Sequence, residues 1–288
     1  MLEQTTIYVD DFKTQFDIPD VIEVYSQHKN YEIIDLNYND DRCFIYFSGN
    51  GLYYPNTKAV FEDKIIKNNR FEWKKNIVHS ARKVIFIRDV FKTWYLKGIN
   101  SDLNSIDKVL DFLKQETKDL RVTCLGSSAG GYAAVLFGCL LQADRVFSFS
   151  GQFCLFHGLN NGILRREQPF LVESEKIPEI NKYYSLKKFV SESSVPIFYF
   201  YPKGCDLDLP QAREICDIPT VYPFAFRGTD HAQTCYPINF LDIFDKSSKE
   251  LIDLCHVFRD RLIHPFIFSI YVSGWNKTVF SITKKLLK

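Results

Sequence analysis

Six short runs of apolar residues recur along the chain: Arg42–Phe47, Lys83–Arg88, Arg121–Leu125, Asp144–Phe149, Val195–Tyr201 and Thr220–Phe226. They are continuous rather than alternating, the pattern of strands covered on both faces. Helical patterns lie between them. Lys58 to Lys75 reads as a helix with mixed charges. Ser105 to Lys118 puts Ile106, Val109, Leu110 and Leu113 on one face, with Asn104 or Ser105 as the cap. Tyr132 to Leu141 is small and apolar. This alternation predicts an α/β fold with a doubly wound, mainly parallel sheet. Residues 1–40, with the runs Thr6–Asp10 and Tyr31–Leu36, predict a leading β segment that forms an antiparallel edge, and Pro223 inside the last run marks that strand as an edge too.

The rhythm breaks twice. Residues 152–192 hold Gly158, Asn160, Asn161 and Gly162, then a charged, aromatic stretch through Tyr183, Tyr184 and Phe189. From His256 the character changes again: Leu262 to Trp275 is apolar and aromatic, interrupted by His264-Pro265, and is followed by Lys277, Lys284, Lys285 and Lys288. The pattern therefore divides the chain into a main domain, 1–255, and a helical tail, 256–288. The apolar run of the tail is shorter than the roughly 20 residues that span a bilayer. Two readings stay open for it. It is an amphipathic segment for a membrane surface or a partner, or it is a helix packed on the sheet with a solvated basic end.

The residues with the most chemical meaning are Gly126-Ser127-Ser128-Ala129-Gly130-Gly131, between the run ending at Leu125 and the helical pattern from Tyr132. Strand, Gly-x-Ser-x-Gly, helix is the context of a nucleophile elbow. Ser128 would stand at the tip of a tight, strained turn, and the Ala129 N–H, at the helix N-terminus, would point into the same space as its hydroxyl. The same residues also suit a turn that merely caps a helix.

With that context the chain resembles the α/β-hydrolase superfamily from about Tyr31 to Leu254. Its layout is similar to the hydrolase-fold O-acetyltransferases and esterases of bacterial surface-polysaccharide clusters. The resemblance implies roles by position. The loop Ser48-Gly49-Asn50-Gly51 would supply the second oxyanion donor, Asn50 first, with Gly49 or Gly51 as alternatives. The acid would follow the strand Val195–Tyr201, Asp206 before Asp208, and the base would be His231, after the last strand. Residues 152–192 would form a lid. His157 lies in it, before the acid, so the chain order makes it structural.

Other candidates rest on position alone. Trp94 and Tyr95 follow the Lys83–Arg88 run, and loops beyond strand C-termini face ligands in open α/β sheets. They and Tyr53 are candidate substrate-binding residues; packing as loop anchors is the competing reading. Asp89 is the candidate hydrogen-bonding residue that fixes this loop, and the next candidate acid after Asp206 and Asp208.

Composition narrows the function classes. The 288 residues carry a formal net charge of +1 and are 46% hydrophobic, with 26 Phe, 16 Tyr and one Met. That balance points to a packed core and gives no sign of a nucleic-acid partner. The first residues have neither the basic nor the apolar region of a secretory signal, so the expected location is cytoplasmic, with peripheral contact at the inner membrane face left open through the tail. The eight cysteines are scattered without CxxC spacing, which favours buried free thiols over disulfides and argues against zinc or any other metal. The expectation is serine-dependent acyl transfer, as O-acyltransferase or esterase, on a carbohydrate or other small-molecule ester. No cofactor is expected to be bound, and acyl-CoA is a candidate donor. A general carboxylesterase or lipase is one alternative; a non-catalytic scaffold of a glycan-assembly complex is the other.

Overall fold

The computed structural model describes residues 18–160, 165, 168–232 and 234–286, the side chains of 282, 285 and 286 excepted. The expected strand Thr6–Asp10, and Asn161, Gly162 and Lys288, lie outside them. Seven strands form one sheet: β1 Tyr31–Asp35, β2 Arg42–Phe47, β3 Lys83–Ile87, β4 Arg121–Ser127, β5 Arg145–Phe149, β6 Ile197–Pro202 and β7 Val221–Phe226. The order is β1-β3-β2-β4-β5-β6-β7. Only β1 runs antiparallel, against β3. Both edge expectations hold: β1 closes one side and the Pro223-bearing β7 the other.

The helices include α1 Pro19–Gln27, α2 Ile106–Glu116, α3 Ala129–Leu141, α4 Asp208–Ile215, α5 Asn239–Asp245, α6 Ser248–Val257, α7 Pro265–Ser273 and α8 Trp275–Leu286. The Ser105 hydroxyl caps α2, accepting from the Lys108 N–H at 3.2 Å. Helix α1 occupies part of the segment read as β. Its signals were Pro19 at the first turn and Val21, Val24 and Tyr25 at helical spacing, all three buried. The mixed-charge helix expected over Lys58–Lys75 is shorter: an α-turn at Lys58–Phe61 runs into a π-helix, Glu62–Lys67.

Period-two alternation divides the core between the two faces of the sheet. Cys43, Ile45, Phe47, Ile197 and Tyr199 point toward α2 and α3, where Ala133, Ala134 and Leu136 pack. The opposite face is a wall of rings: Phe147, Phe149, Phe198, Phe200, Phe224 and Phe226. What is described of the insertion packs on the first face. Leu155, Leu159, Leu171, Tyr184, Leu186 and Val190 join that core, and the Tyr132 hydroxyl donates to the Tyr183 carbonyl at 2.7 Å.

The tail is not set apart from the main domain. The 255/256 boundary falls inside α6. Phe268 of α7 is fully buried against Phe200, Phe224, Phe226 and Phe258. Asn239 donates to the hydroxyls of Ser269 and Ser273 at 2.9 and 2.8 Å. No helix among the described residues is long and apolar enough to cross a membrane. All eight cysteines are free, seven of them buried and Cys216 half-buried.

Candidate active site

Ser128 lies between β4 and α3 with φ 55° and ψ −121°, a conformation non-glycine residues rarely adopt. Its N–H donates to the Phe149 carbonyl at 2.9 Å, and its own carbonyl accepts from Tyr132 at 3.0 Å. The turn is thus tied on one side to the neighbouring strand and on the other to its helix. A Cβ on Gly130 would stand 2.3 Å from the Phe47 carbonyl oxygen, and one on Gly49 would stand 2.5 Å from that of Ser127. Only glycine permits those approaches. They press the first turn of α3 and the loop after β2 against each other, beside Ser128.

His231 follows β7. Its Nε2 is 2.9 Å from Ser128 Oγ, and its Nδ1 is 3.0 and 3.1 Å from the two carboxylate oxygens of Asp208. A carboxylate only accepts, so Nδ1 carries the proton and Nε2 is the acceptor facing the serine hydroxyl. The loop is held by the Ala232 N–H, which donates to the Ser150 hydroxyl at 3.2 Å.

The carboxylate partner is Asp208, and the expectation at Asp206 is corrected. The chain turns after β6 with the Asp208 N–H donating to the Cys205 carbonyl at 3.1 Å. That turn leaves Asp206 and Leu207 exposed at its outer corner and returns Asp208 inward as the first residue of α4. Asp208 is fully buried. The positive end of α4 and the Cys205 thiol both act on its carboxylate; burial, then this hydrogen bond, pushes the thiol pKa up. Asp230, beside the histidine, is exposed.

The loop after β2 begins a 3-10 turn at Asn50–Tyr53. First-turn N–H groups have no acceptor within their own turn, which leaves Asn50 and Gly51, like Ala129 in α3, with donors to offer. Gly49 drops out: its N–H donates to Glu72 Oε2 at 2.8 Å. Glu72 is a residue sequence reading missed. Its own N–H donates to the Ser48 hydroxyl at 3.1 Å, so one residue clamps the loop twice. Burial raises the Glu72 carboxyl above its ordinary pKa, and the Gly49 N–H pulls it back.

The three aromatic candidates are buried posts, a correction to their reading as substrate-binding residues. Tyr53 and Tyr95 are fully buried and Trp94 nearly so. The Tyr95 hydroxyl donates to the Ser48 carbonyl at 2.7 Å, that of Tyr53 to the Val90 carbonyl, and Trp94 Nε1 to Gln152 Oε1 at 2.8 Å. The physical reason is Asp89. Its carboxylate accepts from the N–H groups of Phe91, Thr93 and Tyr95 at 3.0, 2.6 and 3.0 Å and from the Thr93 hydroxyl at 3.1 Å. This folds the loop inward through three non-glycine residues at positive φ: Lys92, Trp94 and Tyr95. Burial raises the pKa of Asp89 against those four hydrogen bonds. Asp89 therefore fixes this loop and takes no place beside His231.

His157 pairs with Glu214 at 2.9 Å, with the Cys154 thiol close by, outside the Ser128–His231–Asp208 series.

No family model matches the chain, and no curated protein matches it. Solved structures do. The capsule O-acetyltransferase of Neisseria meningitidis serogroup A, in complex with caged gadolinium, superposes with a TM-score of 0.52 at 14% identity, over 78% of this chain and 92% of that one. A mutant of that enzyme in complex with CoA gives 0.52 at 12% identity, over 80% and 99%. The fold is that of the α/β-hydrolases. MenH from S. aureus aligns less closely, with a TM-score of 0.45 at 14% identity, over 79% and 99%.

Proposed function

We propose that this α/β-hydrolase-fold protein is a serine-dependent acyltransferase that moves an acyl group from a CoA thioester to a hydroxyl of a carbohydrate. The observation that carries the reading is the continuous series Ser128 Oγ, His231 Nε2, His231 Nδ1 and Asp208, assembled at the tip of a strained elbow. In this reading Nε2 takes the Ser128 proton as Oγ bonds to the thioester carbonyl carbon. The Ala129 and Asn50 N–H groups hold the oxyanion that forms. The C–S bond then breaks and the imidazolium returns its proton to the departing thiolate. An acceptor hydroxyl, deprotonated by the same nitrogen, attacks the acyl-serine, and Ser128 regains its proton. Asp208 fixes the imidazole tautomer and stabilises its charged form throughout. The likeness to a capsule O-acetyltransferase supports a glycan acceptor and acyl-CoA donor, and CoA chemistry fits the expected cytoplasmic location.

The test is to supply acetyl-CoA with candidate oligosaccharides and follow acetyl transfer by mass spectrometry, with fluorophosphonate labelling in parallel. Acetylated glycan that requires Ser128 supports the proposal. Labelled Ser128 with only free acetate released would make the protein a carboxylesterase. Neither labelling nor turnover would make it a non-catalytic scaffold.

A further inference from the structure

Helices α7 and α8 bury one side and leave the other bare. Phe268, Ser269, Val272 and Thr278 face the core, and the Ser269 and Thr278 hydroxyls meet at 2.9 Å. On the outside stand Leu262, Ile267, Tyr271, Trp275 and Phe280, which are 47%, 44%, 57%, 60% and 69% exposed. Scattered single apolar residues need no explanation, but five exposed ones within nineteen positions, from Leu262 to Phe280, are a local concentration.

The charge of the segment itself has one sign. From Arg261 to Lys288 the sequence holds five basic residues, Arg261, Lys277, Lys284, Lys285 and Lys288, and no Asp or Glu. With a net charge of +1 for the whole chain, the remainder is net acidic. Phe280 lies three residues after Lys277 and four before Lys284, so the three share one helix surface. Lys277 is paired with Asp242 at 2.7 Å, whereas Lys284 is exposed. Trp275 rests edge-on against Phe266 with its own ring still open to solvent.

We propose that the outer face of α7 and α8 docks on an anionic lipid surface, with Tyr271, Trp275 and Phe280 entering the headgroup layer and Lys284 meeting lipid phosphates. Amphipathic rings prefer that boundary, and basic residues beside them add attraction to anionic lipid. The twelve residues of α8 extend about 18 Å, which suits lying in the interface rather than crossing a core of about 30 Å. A protein partner or a second copy would also cover apolar rings. A segment whose own charges are all positive, with Lys284 exposed beside Phe280, favours the lipid.

The test is flotation of the full chain with vesicles of phosphatidylglycerol and phosphatidylcholine, compared with phosphatidylcholine alone, at low and high salt. The expected result is flotation with the anionic vesicles only, weakened by salt. Lys284→Gln should lower partitioning about fivefold. The pair Trp275→Ser and Phe280→Ser should lower it at least about tenfold. Both variants should keep the thermal melting and fluorophosphonate labelling of the parent, because these side chains support neither core nor site. Full-length protein that never floats would overturn the proposal, as would flotation that ignores lipid charge. So would a dimer in sedimentation that the serine pair dissolves, since the occupant of the face would then be a second copy. A variant that melts early is replaced by Phe280→Gln alone, for which a loss of flotation is again expected and unchanged flotation would overturn the proposal.

Discussion

Ser128 and the pair that serves it are positioned by different means. The serine's turn is built by its neighbours in sequence, through the positive-φ residue and the carbonyl bond to Tyr132, and is then tied to β5 at Phe149 and pressed on β2 at Gly130. Asp208 and His231 lie 23 residues apart and meet only because the turn at Cys205 and the loop tied to Ser150 bring them together. The loop after β2, proposed to hold the second oxyanion donor, belongs with them, since Glu72 and Tyr95 hold it from 24 and 47 residues away. Locally built geometry can be read from a motif. Geometry built by distant contacts shifts by a residue or two with each turn.

The sharpest way to break this contrast is at the serine. Ser128→Ala should remove fluorophosphonate labelling and lower acyl turnover by up to ~10⁶ with an unchanged melt, while Ser127→Ala should be close to the parent. Turnover retained in the Ser128 variant would end the assignment. On the distant arm, Asp208→Asn should cost up to ~10⁴ in kcat, as a lost triad carboxylate does, and Asp206→Asn should change it less than about twofold. The reverse ranking in steady-state kinetics would mean that the turn after β6 rearranges when substrate binds.

A smaller effect is expected where the clamp, not the chemistry, is removed. Glu72→Ala should lower kcat about ten- to a hundredfold with little change in KM, because a displaced loop weakens one oxyanion donor. Glu72→Gln keeps an acceptor for the Gly49 N–H and should recover most of the rate. An equal rise in KM for both would place Glu72 in substrate binding instead. Smallest of all, Tyr53→Phe loses one buried hydroxyl bond and should cost about 1 kcal/mol in a denaturant titration without altering kcat. A fall in kcat of the Glu72→Ala size would show that Tyr53 also holds the oxyanion loop.

The same division explains what was legible beforehand. Five strand runs, both sheet edges and the elbow carry local signatures, and all are where the pattern puts them. Proximity to β6 favours Asp206 over Asp208 in the sequence, and the hydrogen bond that swings residue 208 inward has no sequence signature. Trp94 and Tyr95 sit beyond a strand end, as ligand-facing residues do, and the carboxylate that turns them inward was visible only as a candidate at Asp89. Glu72 gave no signal, being one acid in a polar stretch that met Ser48 and Gly49 through folding. Helix α1 did give one, Pro19 followed by apolar residues at helical spacing, but the β-rich segments around it outweighed that pattern.

The buried cysteines give the protein an internal clock. Burial pushes every one of the eight thiols above its ordinary pKa, to about 12 for Cys43, Cys216 and Cys235 and about 11 for Cys139 and Cys255. Thiolate, not thiol, reacts with alkylating reagents, so the native chain should react slowly with them while its serine is expected to answer fluorophosphonate. Each thiol then reports when its own neighbourhood opens. Cys124 in the central strand β4 marks global unfolding, and Cys205 beside Asp208 marks opening around the acid. Reading the order in which they become alkylated would map which parts of the fold breathe together, with no label added to the molecule.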